Sequence, residues 1–286
     1  MQQTSNLLNT TDHSRDKVGL TYVYPVVSRR AGGVSVGINL NPNNACNWRC
    51  VYCQVPDLKR GSAPSINLPT LETELRGFLH ELVNGTFMQE QVPAEARHIH
   101  DIALSGNGEP TSAKEFEQII ELIGYVKNDF DLPKNLKLVL ITNGSLIQRQ
   151  SVQAGLKRMA KLNGELWFKF DRALSNERQR INNTQMSLKQ IRKHIALAAS
   201  YCPTWLQTCV FQTNNAPPSE QETIAYLEFI SDLIQDGIPL QGVLLYGLAR
   251  PSLQPEAPQL TKVSDAWLSA FGAKIEALGL TIKLHS

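Results

Sequence analysis

The chain lacks any apolar run that could span a membrane. None of its segments approaches the ~20 consecutive apolar residues that a membrane helix requires. The first 17 residues are polar and carry no apolar stretch of the kind found in signal peptides. We therefore expect a protein with no membrane partner that resides in the cytoplasm, where thiols stay reduced.

A large excess of charge of either sign is also missing. The 286 residues include 28 Lys and Arg against 26 Asp and Glu, a net charge of +2. This balance neither supports nor excludes a nucleic-acid partner. The hydrophobic content of 42% and the charged content of 19% are typical of a globular core.

Cysteine is scarce, and most of it is crowded into one place. The stretch ACNWRCVYCQ at 45–54 carries three of the five cysteines, Cys46, Cys50 and Cys53, in the spacing C-x3-C-x2-C. An odd, clustered set disfavours a disulfide framework and favours metal or redox chemistry. We expect the remaining two, Cys202 and Cys209, to be buried as small apolar side chains.

The three crowded thiols lack a fourth ligand nearby. A structural zinc site needs four ligands, and the nearest downstream histidine is His80. Zinc would have to recruit its fourth ligand through the fold. A [4Fe–4S] cluster held by three thiolates would instead keep one iron open for an exchangeable ligand such as an amino acid group.

Apolar stretches alternate with amphipathic stretches along the chain. Strands are predicted at 34–40, 99–106, 136–144, 165–171, 206–212 and 242–251, each followed by a stretch with helical spacing of apolar residues. Ser112 with Glu115, Ser187 with Gln190 and Ser219 with Glu222 predict helix starts. A last helix at about 264–278 and a terminal strand close the chain.

Six successive strand–helix pairs predict an α/β fold with a parallel sheet and right-handed crossovers. The sheet would be either open and doubly wound or a curved, partial (β/α)6 TIM-like barrel, and we favour the barrel. Residues 1–30 are predicted to form a flexible lead-in, residues 31–252 the barrel core, and residues 253–286 a C-terminal helix and strand that cap it.

Polar residues follow the predicted strands. The cysteines come after the first strand, GNGEPT at 106–111 after the second, and TNG at 142–144 after the third. Tyr246 and Arg250 end the sixth. The carboxyl ends of parallel strands meet at one edge of a sheet, so this pattern predicts an active site there. Arg250 would bind a substrate phosphate or carboxylate, or lie on the surface as an ordinary arginine.

The fourth strand and the GNGEPT loop each leave two interpretations. In a barrel, Lys169 and Asp171 would face the lumen, the space enclosed by the strands. Because unpaired buried charge is costly, they would either pair with each other or bind a polar ligand. In the loop, Gly106 and Gly108 allow a sharp turn, and Glu109 would offer its carboxylate to a ligand ammonium. The alternative for the loop is a tight turn with a solvated glutamate.

The cysteine motif, with Tyr52 just before its third cysteine, resembles that of the radical S-adenosylmethionine superfamily. SGNGEPT resembles the superfamily's Gly-Gly-Glu-Pro element, although Asn107 stands where a glycine is usual. The resemblance covers roughly 34–250. The GEPT, TNG and ARP sequences are similar to motifs of the iron–sulfur oxidoreductase group that includes wyosine-type tRNA enzymes. Archaeal wyosine-forming enzymes carry additional N-terminal cysteines, and no cysteine precedes Cys46 here.

The resemblance implies two cofactors and a set of ligand contacts. Cys46, Cys50 and Cys53 would hold three irons of a [4Fe–4S] cluster, and S-adenosylmethionine would bind the fourth. One electron would cleave S-adenosylmethionine to a 5′-deoxyadenosyl radical that abstracts hydrogen from an unidentified substrate. The other implied contacts are Tyr52 near the adenine, Glu109 and the Gly108 backbone at the ammonium, and Asn143, Lys169 and Asp171 at the ribose or carboxylate. Gly106 and Asn107 of the same turn are also implied to bind the cofactor.

An electron donor such as a flavodoxin or ferredoxin is implied as a partner. Other functions stay open at this point. The chain could be a radical activase that acts on a partner protein, a tRNA-modifying enzyme, a non-enzymatic zinc or iron–sulfur module, or an RNA-binding protein with a structural cluster.

Overall fold

The computed structural model describes residues 7–8, 18–27 and 32–285. The strands of this part of the chain are β1 Val23–Val27, β2 Val34–Ile38, β3 Ala45–Cys46, β4 Lys59–Arg60, β5 Ile99–Leu104, β6 Lys137–Thr142, β7 Gly164–Lys169, β8 Thr204–Val210, β9 Gln212–Thr213, β10 Leu240–Gly247, β11 Leu260–Thr261 and β12 Ile282–His285. The α-helices are α1 Leu68–Asn84, α2 Phe87–Gln91, α3 Phe116–Asp129, α4 Gln150–Lys161, α5 Ser175–Asn182, α6 Leu188–Tyr201, α7 Glu220–Gln235 and α8 Asp265–Glu276.

Eight strands form one sheet in the order β1-β2-β5-β6-β7-β8-β10-β12. All neighbouring pairs from β2 to β12 are parallel, and β1 joins β2 antiparallel. Strands β2, β5, β6, β7, β8 and β10 correspond to the six strands expected from the sequence. The predicted α/β, partial (β/α)6 arrangement with parallel strands is therefore confirmed, and β12 extends the sheet beside β10.

The two faces of the sheet have different characters. Successive side chains of a strand point to opposite faces, so apolar residues such as Leu138, Leu140 and Leu166 all point toward the helices, where they are fully buried. Helix α1 contributes Leu71, Leu75 and further apolar side chains to the same core. The other face forms the lumen and carries many of the polar groups described below.

Strand β1 lies inside the segment that the sequence analysis treated as a lead-in. Pro25 lies in the middle of VYPVV and weakens the strand signal, because proline cannot donate to a ladder. An edge strand tolerates it, and Pro25 pairs with Val36 at the edge of the sheet. The rest of residues 1–30 lies largely outside the described residues, and the division of the chain into three segments stays a prediction.

One of the expected helix starts is wrong. Helix α3 begins at Phe116, and Glu115, its N-cap residue, makes no capping hydrogen bond with its side chain. The Ser112 hydroxyl instead donates to the Glu109 carbonyl oxygen at 2.7 Å and accepts from the Ala63 amide at 2.8 Å. The Ser112 hydroxyl therefore stabilises the loop that carries Glu109 and does not cap α3. The capping boxes at Ser187 and Ser219 are confirmed.

Within the described part of the chain, none of the helices combines the length and the apolar character that crossing a bilayer requires.

Glu74 anchors the start of β1 to α1, which yields the first prediction. Its carboxylate accepts hydrogen bonds from the backbone amides of Thr21 at 2.9 Å and Tyr22 at 2.8 Å, and from Val23 at 3.2 Å. Glu74→Ala should lower the free energy of unfolding by about 1–3 kcal/mol, because three amides lose a charged acceptor. It should also speed hydrogen exchange at Tyr22.

The matched control is Glu72→Ala on the same helix. Glu72 is 45% exposed and pairs with Arg76 on the surface, so its loss should change stability by no more than about 0.5 kcal/mol. Urea denaturation and amide exchange of the three proteins test the anchor. Equal effects of the two substitutions would contradict it.

Candidate active site

A cavity of about 360 Å³ opens between the carboxyl ends of the strands and the cysteine loop. It brings together most of the residues that the sequence analysis singled out. Asp171 is not among its lining residues. The predicted residues that do line it are Cys46, Cys50, Tyr52, Cys53, Gly106, Asn107, Gly108, Glu109, Asn143, Lys169, Tyr246 and Arg250.

The cysteine loop is held by three separate parts of the chain. The short strand β3 pairs with β4 and fixes Cys46 at the start of the loop. The Val51 amide donates to the Ile181 carbonyl oxygen at the end of α5, at 2.9 Å. The Cys53 carbonyl oxygen accepts from the Leu253 amide at 2.9 Å and from the Ser252 hydroxyl at 3.2 Å. The loop therefore has a defined conformation at the cavity rim.

Burial disfavours the charged form of two of the thiols. It raises the pKa of Cys46 to about 12 and that of Cys50 to about 11. The Trp48 amide lies 3.4 Å from the Cys46 sulfur, and the Asn182 side-chain amide lies 3.4 Å from the Cys50 sulfur. Both donors favour a thiolate, but a buried thiolate also needs a cation.

The donor set fits an iron–sulfur cluster. Thiolates are the soft ligands that such clusters use, and all three sulfurs border the same cavity. Across the described residues, no group of three or more His, Cys, Asp or Glu side chains converges on a single metal ion, whereas a cluster takes each of its thiolates on a different iron. Residues Cys202 and Cys209 are 1% exposed, as expected, although Cys209 also borders the cavity.

The Glu109 carboxylate joins two loops at the cavity rim. One oxygen accepts from the Thr111 amide at 3.1 Å and from the hydroxyls of Thr111 and Thr142 at 2.5 and 2.6 Å. The other accepts from the Asn143 amide at 2.7 Å. Burial raises the pKa of Glu109, and these hydrogen bonds act against the rise. The side chain is 2% exposed rather than solvated, and its expected contact with a ligand ammonium stays a prediction.

The GNGEPT turn packs tightly against the asparagine-rich turn that follows β2. The Asn39 side-chain oxygen accepts from the Asn107 amide at 3.0 Å, and the Asn107 side-chain amide donates to the Asn44 side-chain oxygen at 2.6 Å. The sequence analysis did not single out Asn39 or Asn44. Their partners lie more than 60 positions away, so spacing along the chain carried no signal of these contacts.

Asp171 lies behind the cavity wall and organises it. Its carboxylate, 4% exposed, accepts from the Tyr52 hydroxyl at 2.5 Å, the Asn182 side-chain amide at 2.7 Å and the Cys209 amide at 2.8 Å. Asn182 is also the donor near the Cys50 sulfur. Asp171 therefore supports the cysteine loop through its neighbours, and direct contact with a cofactor stays a prediction.

Lys169 does face the cavity. Its ammonium nitrogen lies 3.4 Å from the Tyr246 hydroxyl and 5.0 Å from the centre of the Tyr52 ring. Burial lowers its pKa, but electrostatic interactions with Tyr246, Asp171 and Cys50 outweigh burial and raise the pKa above its ordinary value. Among the described ion pairs within 4 Å, none joins Lys169 to Asp171, so the expected alternative of mutual pairing is not what the side chains do.

Arg250 and its neighbours close the rim from the C-terminal side. The Arg250 guanidinium donates to the Gln54 side-chain oxygen at 2.9 Å, which ties it to the cysteine loop. Arg49 makes two hydrogen bonds to Glu256, at 2.5 and 3.0 Å. These residues are separated by about 200 positions, and the sequence offered no signal of the Arg49–Glu256 pair.

Gly108 yields the second prediction, because a side chain there would collide with the cysteine loop. A methyl group would meet the Ala45 carbonyl oxygen and would lie 2.6 Å from the side-chain carbon of Asn41. Gly108→Ala should destabilise the protein by about 1–3 kcal/mol through overpacking. Gly77→Ala is the control, since nothing lies within 4 Å of a methyl group there, and alanine favours the helix by about 0.5–1 kcal/mol. Chemical denaturation of both variants distinguishes the two cases, and a Gly108→Ala variant as stable as the parent would refute the close approach.

Comparison with known proteins supplies the family. The family model of the Radical SAM superfamily matches residues 40–218. A UPF0026 protein of Helicobacter pylori is 30% identical over 136 residues, which cover 46% of this chain and 38% of that protein. The matches to curated relatives span between 19% and 52% of the relatives' own length.

Two solved structures share the fold. SuiB of Streptococcus suis, crystallised with S-adenosylmethionine, aligns with a TM-score of 0.53 at 10% identity, over 87% of this chain and 45% of that chain. A radical SAM methyltransferase of Sphaerobacter thermophilus aligns with a TM-score of 0.55 at 13% identity, over 89% and 67%. At such low sequence identities, the alignments show only that the fold is shared. Because the family model covers more than half of the chain, this protein belongs to the radical SAM superfamily.

Proposed function

We propose that the chain is an enzyme in which Cys46, Cys50 and Cys53 hold a [4Fe–4S] cluster and the adjoining cavity binds S-adenosylmethionine. The observation that carries the proposal is that three cysteines and the GNGEPT loop border one cavity. When bound, the reduced cluster would supply one electron for the cleavage of S-adenosylmethionine to methionine and a 5′-deoxyadenosyl radical, which would take a hydrogen atom from the substrate. Superfamily membership supports both cofactors.

The chain's own contribution at the cysteine loop is to orient ligands and exclude water. Asp171 holds Tyr52 and Asn182, and Asn182 directs an N–H toward the Cys50 sulfur. A small apolar cluster that includes Val51, Tyr52 and Phe211 packs beside the loop. Such surroundings shield a redox centre from solvent and set the orientation of its ligands.

We further propose that the opposite rim binds the polar groups of S-adenosylmethionine. Glu109 fixes the Asn143 backbone, and the Asn143 side chain donates to the Asn47 side-chain oxygen in the cysteine loop at 2.8 Å. We assign the ammonium to the Gly108 backbone and Glu109, the ribose or carboxylate to Asn143 and Lys169, and the adenine to the neighbourhood of Tyr52. Asp171 acts in this proposal through Tyr52.

The proposal also requires a source of electrons and a reducing surrounding. A flavodoxin or ferredoxin would supply the electron. A reducing compartment such as the cytoplasm suits cysteines held as thiols and an oxygen-sensitive cluster.

The third prediction tests the central chemistry. The protein, reconstituted anaerobically with iron and sulfide and reduced with dithionite, should convert S-adenosylmethionine to 5′-deoxyadenosine. Cys50→Ala should reduce this product to background and lower the bound iron, because one cluster ligand is lost. Chromatography of the product, iron analysis and electron paramagnetic resonance measure these outcomes.

Cys202→Ala is the matched control. Cys202 is equally a buried cysteine, but its sulfur contacts the Gly164 carbonyl oxygen in the core and does not border the cavity. This variant should keep both the cluster and the product. A parent protein that takes up zinc and refuses a cluster would overturn the proposal.

A further inference from the structure

The cavity extends well beyond the cofactor rim into the barrel. On β5 and just after it, Asp101, Ala103 and Ser105 alternate along the cavity wall. At a rise of ~3.3 Å per residue, Asp101 lies roughly 13 Å below Ser105, and the GNGEPT turn begins directly after Ser105. The cavity wall therefore runs from the rim down to the level of Asp101. We call the polar residues Tyr24, Ser35, Asp101, Ser105 and Gln207 of this wall the lumen floor.

A buried acceptor in the lumen floor lacks a donor. Gln207 is 2% exposed and borders the cavity, and its side-chain oxygen has no hydrogen-bond partner among the described residues. Gln207 lies level with Lys169 of the neighbouring strand. A buried carbonyl group without a donor is costly, so this oxygen is suited to a ligand N–H or O–H.

Asp101 brings a carboxylate to the opposite wall. It is 5% exposed, and one of its oxygens accepts from the Ser35 hydroxyl. The other lies 3.8 Å from the ring nitrogen of His100, which carries a charge only when it is protonated. The nearby Lys137 is paired with Glu165 at 3.6 Å. Among the described residues, the carboxylate therefore has no permanent cation within 4 Å.

The side chains around these acceptors pack closely against one another. The Tyr24 hydroxyl hydrogen-bonds with the Ser105 hydroxyl at 2.8 Å, which holds the ring over the lumen. A methyl group on Gly37 would lie 2.6 Å from carbons of that ring, so glycine allows the tyrosine to lie flat across β2. The lumen floor is therefore a shaped surface with defined polar positions.

A buried carboxylate is stabilised by a cation that also donates hydrogen bonds. Burial raises the pKa of Asp101, and the Ser35 hydrogen bond acts against the rise. Asp101 and Gln207 stand on strands three positions apart in the sheet, a lateral step of roughly 14 Å at ~4.8 Å per strand, and the register places Gln207 closer to the carboxyl ends. They would contact different parts of one ligand.

We propose that the lumen floor binds a substrate that carries a cationic amino group at one end and a second hydrogen-bond donor at the other. The Asp101 carboxylate pairs with the amino group, and the Gln207 side-chain oxygen accepts from the second donor. This inference rests on the proposed function, because a substrate in the lumen floor would lie next to S-adenosylmethionine at the rim. It adds to that function the chemical class of the substrate.

The test compares three linear probes with four carbons, namely terminal aminobutanol, butylamine and butanediol. Ligand-observed NMR of the full-length reduced protein measures their dissociation constants. Aminobutanol should bind most tightly, butylamine less tightly and butanediol most weakly. Butanediol that binds the unmodified protein as tightly as aminobutanol would overturn the inference, and this result needs no variant.

Two substitutions assign the contacts. Asp101→Asn should weaken aminobutanol about tenfold or more, because the charged partner is lost, and Gln207→Met should weaken it about threefold. Asp129→Asn, a surface carboxylate with 55% side-chain exposure, should leave the affinity unchanged. Urea denaturation verifies that each variant is folded. An Asp101→Asn variant that is folded and binds aminobutanol normally would overturn the assignment.

Failure of this inference is distinguishable from failure of the proposed function. Amine binding is measured without S-adenosylmethionine, and 5′-deoxyadenosine is assayed on the same preparations. If the protein binds aminobutanol through Asp101 but never forms 5′-deoxyadenosine, the inference stands and the proposed function fails. If 5′-deoxyadenosine forms and butanediol rivals aminobutanol, this inference alone is overturned.

Discussion

A carboxylate that is removed from water must be surrounded by hydrogen-bond donors, and the rim of the cavity is organised around two such groups. Glu109 collects donors from Thr111, Thr142 and Asn143, and thereby joins the loops after β5 and β6. Asp171 collects donors from Tyr52 and Asn182, and thereby joins the cysteine loop to the end of α5. The positions of the cysteines and of the glycine turn depend on these two clusters of hydrogen bonds.

The two faces of the sheet have different roles, because successive side chains of each strand point to opposite faces. Side chains that point toward the helices, such as Leu140, Leu166 and Leu206, are fully buried and build the core. Their neighbours point into the lumen, where Asp101, Lys169 and Gln207 border the cavity. Because the strands are parallel, their carboxyl ends meet at one rim, and the cysteine loop lies across it. In the proposed function, cofactor groups and substrate groups share this lumen.

Much of the architecture could be predicted from the sequence because its signals are local. Alternating apolar strands and amphipathic helices indicated the six parallel strands. The spacing of Cys46, Cys50 and Cys53 indicated metal chemistry, which stays a prediction. Predictions were incomplete where a local signal competed with a distant partner. Pro25 obscured β1, and Ser112 bonds to the loop of Glu109 instead of capping α3. Asp171 follows the strand pattern of Lys169, yet it turns away from the cavity because its hydrogen-bond donors come from Tyr52 and Asn182.

The sequence by itself determined the residue types available for chemistry, the order of strands and helices, and the membership of the cysteine and glycine motifs in one strand-end site. These are properties of short segments, in which side-chain periodicity and backbone geometry act over a few residues. Only the tertiary structure decided which polar groups belong to the lumen floor and which lie behind the cavity wall. It also decided that Arg49 contacts Glu256, about 200 positions away. Such contacts depend on burial and on the approach of distant strands and loops, and neither quantity is encoded in the spacing along the chain.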